Sequence, residues 1–372
     1  MGKMKNLCKK ETVFCVSFML ALLSMLFVTP DLTYLNYPDY RTLSLLFSLM
    51  IVVAGLQSLG IFERLGNLLM RRAKGAERLT LTLILLCFFS SMIITNDVAL
   101  ITFVPFSILV CRMIKREDLV MRTVIMETIA ANLGSMATPI GNPQNLYLYG
   151  LAGISAGRFV LLMLPYTVAS AALLVICVIV CMKGKNRQLE IRLSGSDIQV
   201  NRKLVGIYSI LFVLSLLTVA RIVPYWVTFA VVLVVVLICQ RRLLLKVDYS
   251  LIFTFVGFFV FIGNMGRIEE FRTFVENVLG GHEMITSVLA SQVISNVPAA
   301  VLLSGFTDRY TDLIVGTNLG GLGTLIASMA SLISFKYVAR QDKGARGRYL
   351  AYFTFANVLF LAVLICIWNI IK

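Results

Sequence analysis

The chain has 372 residues, 59% of them apolar and 14% charged, with a mean hydropathy of +0.88. A soluble domain sits near roughly 45 to 50% apolar and about 25% charged, so these proportions exclude an ordinary cytosolic enzyme, a disordered tail and a small disulfide-stapled secreted domain. The excess of 34 Lys and Arg over 19 Asp and Glu is scattered over many loops without aromatic interleaving, which fits membrane topology and excludes a nucleic-acid surface.

The apolar residues fall in runs of about 17 to 25, the length that crosses a bilayer as helix, and the expected fold is an all-α polytopic membrane protein with the lipid bilayer as its first partner. The first run, Thr12 to Thr29, follows Lys3, Lys5, Lys9 and Lys10 but is not trailed by a small-x-small cleavage signal, so it reads as a span. Further spans are expected at 43–61, 120–150, 159–182, 204–222, 224–240, 249–266, 311–335 and 349–371. Two apolar segments, 79–111 and 284–307, fit neither one crossing nor two and are expected to be re-entrant hairpins. With the N-terminus in the cytoplasm, 27 of the 34 basic residues then lie on the cytoplasmic side and 7 outside. The expected arrangement is nine spans and two hairpins in the plasma (inner) membrane, C-terminus outside. The eight cysteines form no CxxC, and the single histidine, His282, falls in a loop, so no metal centre is expected.

Self-comparison pairs two sets of segments in the same order. Ser91-Met-Ile-Ile-Thr95-Asn96 matches Ser291-Gln-Val-Ile-Ser295-Asn296, 200 positions on, and Asn132-Leu-Gly-Ser-Met-Ala-Thr138 matches Asn318-Leu-Gly-Gly-Leu-Gly-Thr324, 186 positions on. In the topology above the two copies run in opposite senses, which predicts an N-terminal repeat at 1–182, a cytoplasmic linker at 183–203 and a C-terminal inverted repeat at 204–372. Each Ser/Thr-Asn motif sits where a short hairpin must turn. Thr138-Pro139-Ile-Gly141-Asn142-Pro143 and Gly320-Gly321-Leu-Gly323-Thr324 each interrupt a long apolar segment and break its helix. Broken helices at matching places in two inverted halves point to a ligand site near the midplane, where half-helix N-termini attract anions and unwound carbonyls hold cations. Asn264 and Asn357, which lack such pairing, read as interhelical contacts. Asp97 follows Asn96 at the first tip and is a candidate carrier of a proton or cation, with capping of the following half-helix as the competing role. Glu127, two turns into its span, reads mainly as an interface residue.

At these motifs the chain resembles the ion transporter superfamily, above all its citrate-transporter-like, arsenite-efflux-pump-like and divalent anion–sodium symporter branches. The resemblance covers about residue 40 to 371 and rests on Thr95-Asn96-Asp97-Val98-Ala99-Leu100 and on Ala131 through Asn145. It implies two inverted repeats, opposed hairpins, a scaffold that commonly forms a homodimer and an elevator-type mobile part. By position it implies substrate contacts from Thr95, Asn96, Thr138, Pro139, Ser295, Asn296, Val297, Pro298 and Thr324. Ion coupling, with Na+ at the hairpin tips and helix breaks, falls to Ser91, Asp97, Asn132, Gly134, Asn142, Ser291, Asn318 and Gly320. Two departures stand out: the third tip residue, Thr in dicarboxylate symporters, is Asp97 in one hairpin and Val297-Pro298 in the other, and only two spans precede the first hairpin.

The expected function is therefore an ion-coupled secondary active transporter that moves a small di- or tricarboxylate-like anion by alternating access, with Na+ or H+ as the coupling ion and no cofactor. The alternative is an arsenite-like oxyanion efflux pump or a Na+/H+ antiporter that uses Asp97. An intramembrane enzyme is not expected: an aspartyl protease needs two facing Asp residues and only Asp97 lies deep. No GxxxxGK loop for ATP occurs.

Overall fold

A computed structural model describes residues 11–62, 64, 75–182, 201–341, 344 and 346–372. The first four lysines, most of the basic loop 62–78 and all but the last three residues of the linker at 183–203 lie outside the described residues. Among the described residues there are sixteen α-helices and no strand. In chain order, α1 (Thr12–Ser24) stops short of the run predicted to Thr29 because Pro30 follows, and Asp31 then accepts from Thr33 N at 3.0 Å to start a short turn. α2 is Tyr40–Ser58, capped by Asp39. α3 (Ala76–Ile94) and α4 (Asn96–Met113) occupy the first expected hairpin, joined by one residue, Thr95. α5 (Val120–Ser135) and α6 (Pro143–Ala152) are the halves of the first broken helix. Single helices follow: α7 (Ala156–Met182), α8 (Arg202–Val219), α9 (Tyr225–Gln240) and α10 (Tyr249–Met265). After α11 (Glu269–Leu279) come the second hairpin, α12 (Glu283–Ile294) and α13 (Asn296–Ser304), the second broken helix, α14 (Tyr310–Leu319) and α15 (Met329–Gln341), and finally α16 (Arg346–Ile371).

Among the described residues seven helices are long and apolar enough to cross a membrane, or eight if the bent pair α10 and α11 counts as one span. Both arms of the first hairpin are among the seven, because the helices extend beyond 79–111 to Ala76 and Met113 and reach 19 and 18 residues. The amphipathic α11, turned 107° from α10, falls where the spacing predicts only a loop. Its signal was present: Phe271, Phe274, Val275 and Val278 recur at helical spacing. Phe271 reaches inward to stack edge-on against Phe306 at 5.7 Å, while Phe274 stays exposed.

Burial sorts these helices into two groups. α8, α9 and α16 carry apolar side chains that protein does not cover, such as Ile210, Ile238 and Phe355, as lipid-facing helices do. In contrast, every residue of α6 from Pro143 to Tyr149 is buried, and so is every residue of α14 from Leu313 to Leu319. The first break beside them lies inside protein, where unpaired backbone is tolerated, while the second is buried at 320–323 and open at Thr324 and Ile326. α2, α8 and α9 form a separate apolar cluster around Phe47, Ile51, Tyr208 and Val232. α2 also sends Leu45, Leu46, Leu49 and Val53 into the broken-helix core, and its Gln57 Nε2 donates to Thr102 Oγ1 of α4 at 2.9 Å. Arg221 adds a polar contact, its guanidinium donating to the carbonyls of Tyr149, Gly150 and Gly153 at 3.3, 3.5 and 3.2 Å, a cation on the C-terminal end of α6. α1 lies along α10, and Asn264 Nδ2 donates to Ser24 Oγ at 2.9 Å, the interhelical role its sequence suggested.

α5 lies against α3 so closely that a Cβ on Gly134 would collide with the Phe88 carbonyl and come within 2.5 Å of Ser91 Oγ. Gly134→Ala should therefore lower stability by about 1–3 kcal/mol in detergent thermal unfolding, whereas Gly157→Ala, which meets open space, should change it little. Equal effects would contradict this packing.

Candidate functional site

Each hairpin turns on a single residue in the left-handed region, Thr95 at φ 69°, ψ 150° and Ser295 at φ 75°, ψ 154°. Side chains with a Cβ rarely adopt that conformation, and such strain, of order 1–3 kcal/mol each, persists where surrounding structure enforces it. The enforcing contacts are on the next residue. Asn96 N donates to the Gly141 carbonyl at 3.2 Å, and Asn296 N donates to the Ala327 carbonyl at 2.9 Å. Each Asn side chain then folds back, Asn96 Oδ1 accepting from Asp97 N and Asn296 Oδ1 from Val297 N, both at 2.9 Å. Pro298 stands in the first turn of α13, where an N–H would have no helical partner.

The two breaks exchange side chains. Asn318 on α14 donates from Nδ2 to Asn145 Oδ1 at 2.6 Å and accepts at Oδ1 from Asn142 Nδ2 at 3.2 Å, both partners being at the start of α6. Asn132 on α5 accepts from Ser328 Oγ at 3.0 Å and donates to Ser331 Oγ at 3.3 Å, both at the start of α15. Asn132 and Asn318, Asn142 and Ser328, Asn145 and Ser331, and Gly141 and Ala327 are each 186 positions apart, the offset found in the sequence. Thr138 Oγ1 donates to the Met92 carbonyl at 2.5 Å and Thr324 Oγ1 to the Gln292 carbonyl at 3.0 Å, again corresponding positions. Asn132 also accepts from Asn96 Nδ2 at 3.0 Å and reaches the Gly321 carbonyl at 3.5 Å. A Cβ on Gly321 would lie 3.1 Å from Asn296 Nδ2, so the second tip packs on the glycine whose carbonyl Asn132, the partner of the first tip, reaches.

Four half-helix N-termini, those of α4, α6, α13 and α15, are thereby drawn together. Asn96, Asn132, Asn142, Asn145, Asn296 and Asn318 are all buried, and no Lys or Arg is bonded into the cluster among the described residues. The positive potential is that of helix ends. Asn142 Oδ1 in the cluster, and Asp97 Oδ1 on the first turn of α4, are buried without a hydrogen-bond partner, so acceptors as well as dipoles are available to a cation. Of the residues expected from sequence, Thr95, Asn96, Asp97, Asn132, Pro139, Asn142, Ser295, Asn296, Val297, Pro298 and Asn318 surround the tips and breaks. Thr138 is half-buried and Thr324 exposed, each tying its break to its hairpin. Ser91 and Ser291 bond carbonyls of their own helices and fill the space opposite Gly134 and Gly320, which is packing. Asn145, Ser328, Ser331 and Gln292 are the members that sequence reasoning missed. Gln292 donates to the Gly320 and Leu322 carbonyls, each at 2.9 Å, and so caps the second break. Carrying the 186 offset ten and thirteen residues past Asn132 would have found Ser328 and Ser331.

If the exchange is real, Asn145→Ala and Asn318→Ala should be non-additive by about 0.5–3 kcal/mol in a double-mutant cycle read by thermal unfolding. Additive losses would contradict a direct contact.

A family model described as "Citrate transporter" matches residues 9–308. The chain is 31% identical to an uncharacterized transporter of Methanocaldococcus jannaschii, over 85% of this chain and 86% of the relative. It is also 31% identical to the inner membrane protein YbiR of Escherichia coli, over 80% of each. A shorter match, 32% identity over 40% of this chain and 30% of the relative, joins it to a silicon efflux transporter of rice, Oryza sativa subsp. japonica.

Proposed function

The chain belongs to the citrate transporter family and is a multi-pass membrane transporter, and on that premise we propose that it is an ion-coupled secondary active transporter of a small di- or tricarboxylate-like anion. The observation that carries this reading is the meeting of four half-helix N-termini in a buried cluster built without a cationic side chain. Helix ends and amides favour an anion while leaving its desolvation reversible, and a carrier must release what it binds. The family name supports a carboxylate as the anion.

Na+ or H+ is the coupling ion. The unpartnered oxygens of Asp97 and Asn142 sit beside the anion-attracting helix ends, so an anion and a cation would stabilise one another there. The paired contacts at constant offset support two inverted repeats related by an axis in the membrane plane. In that arrangement the hairpins enter from opposite sides and the N-terminus is cytoplasmic, in the inner membrane, as the basic loops favour. The separate cluster of α2, α8 and α9 is the natural scaffold, and the broken-helix core the part that moves against it, in an elevator-type alternation of access. That scaffold is also the surface through which a homodimer would form.

A second reading has a specific observation behind it. Asp97 places a carboxylate at the first tip where the second has Val297, and the rice relative is named for the efflux of silicon. An oxyanion or oxyacid efflux pump, or a Na+/H+ antiporter, would use that carboxylate to carry the proton.

Thermal unfolding against citrate, succinate, malate, phosphate, sulfate and arsenite, each with and without Na+, separates these readings. At a ligand concentration of 100 times Kd the native state gains about 2.7 kcal/mol. A cation-dependent shift with a carboxylate, lost in Asn96→Ala and in Asn296→Ala, is the expected result. A response to pH or Na+ alone that disappears in Asp97→Asn would overturn it in favour of the second reading.

A further inference from the structure

The broken-helix core holds a second deep carboxyl that the ligand cluster does not use. Glu127 lies on α5, seven residues from the helix start and five before Asn132, and is 0% exposed. Ser107 Oγ of α4 donates to its Oε1, and its Oε2 is buried with no hydrogen-bond partner. The titratable groups around it are the Cys87 thiol of α3, which donates to the Glu127 carbonyl at 3.5 Å, the Cys111 thiol of α4 and the Tyr349 phenol of α16. α7, α14, α15 and the short turn Glu117–Leu119 also pack on α5, and none of them brings a charged side chain to it among the described residues. A charged carboxylate there would face no cation among the described residues and only one hydrogen-bond donor, Ser107.

A proton held only for structure would need no path from the charged end of the helices. A largely apolar crevice of about 870 Å³ runs between α3, α5, α7 and α16, with Arg112, Glu117, Asp118, Arg122 and Arg348 at its charged end and Tyr352, Phe355 and Leu359 on its α16 wall. It follows α5 as far as Thr123 and Met126, one turn before Glu127 and adjacent to it. Beyond Glu127 the same helix delivers Asn132 to Asn96, Ser328 and Ser331. Charging or neutralising this position bears on the α4–α5 contact through Ser107, and α4 carries the first hairpin tip.

We propose that Glu127 is a proton-loading site of the transport cycle, distinct from the carboxylate at the hairpin tip. A proton arriving along the crevice binds the carboxylate to give the neutral acid. When α4 and α5 part in the alternate conformation, the acid returns the proton to water. This rests on the transporter reading above and deepens it by naming where one coupling ion is held.

The test uses Glu127→Gln, which keeps the shape and the Ser107 contact but cannot titrate. In infrared spectra of the purified protein, the wild type should show a protonated-carboxyl C=O band that is missing in Glu127→Gln and that fades as the pH is raised while the protein stays folded. In proteoliposomes, a citrate gradient should move protons, read by an internal pH dye, and Glu127→Gln should reduce that flux by about tenfold or more with citrate counterflow kept within about twofold. Undiminished proton flux in Glu127→Gln, or a band whose intensity ignores pH, overturns the proposal in favour of a fixed structural acid. Absence of citrate counterflow in the wild type would instead contradict the carboxylate reading, and the infrared titration then decides Glu127 by itself.

Discussion

A helix that stops inside a membrane leaves backbone donors and acceptors that lipid cannot satisfy, and this constraint organises the molecule. The chain contains two hairpin turns and two helix breaks in its apolar interior. The turn amides are met by carbonyls of the breaks, and the breaks by side chains of both halves, Asn145 and Gln292 from their own half and Asn132 and Asn318 from the opposite one. The residues that do this are Asn, Ser, Thr and Gln, which both donate and accept without carrying charge. Burial of α6 from Pro143 to Tyr149 and of α14 from Leu313 to Leu319 follows from the same need, and it leaves the outer helices to present apolar surface to lipid.

The closure is reciprocal. Asn318 serves the start of α6 and Asn132 serves the start of α15, so each break draws partners from the opposite half of the chain as well as from its own. Helix packing repeats the exchange: α4 lies on α15, and α13 on α6. One consequence is mechanical. Both hairpins and both breaks are tied into one hydrogen-bonded unit, so a displacement of either hairpin strains both breaks. Arg221, held at φ 64°, grips the last carbonyls of α6 from the turn after α8, and Gln57 of α2 bonds Thr102 of α4, so the cluster of α2, α8 and α9 is joined to this core at more than one place. The other consequence is electrostatic, because the exchange is what brings four helix N-termini to one place.

Much of this was legible in the sequence because it left marks that composition and spacing can carry. The spans follow from apolar run length, the breaks from Thr138-Pro139 through Pro143 and from Gly320 through Thr324, and the pairing from two short self-matches. The strain at Thr95 and Ser295 was not legible, since neither residue type announces a left-handed turn. Ser328 and Ser331 were missed because Ser replaces Asn there, which hides an identity of position behind a change of residue. The lengths of α3 and α4 were underestimated, since Arg78 and Arg112 at their ends made the apolar run look shorter than the helix. α11 went unrecognised because its charged face lowers the mean hydropathy that the spans were sought by. Glu127 looked peripheral by its distance from the helix start, and only packing by α3, α4 and α16 makes it deep.

Alternation of access about the paired tips is the claim on which the functional account stands. It is tested most directly by placing a single cysteine at Thr95, in a background without native cysteines, and treating sealed membrane vesicles of either orientation with a membrane-impermeant maleimide. The account predicts labelling from each face, with reagent at one face blocking later labelling from the other. Labelling confined to one face in all conditions, or simultaneous access from both as in an open pore, would contradict it.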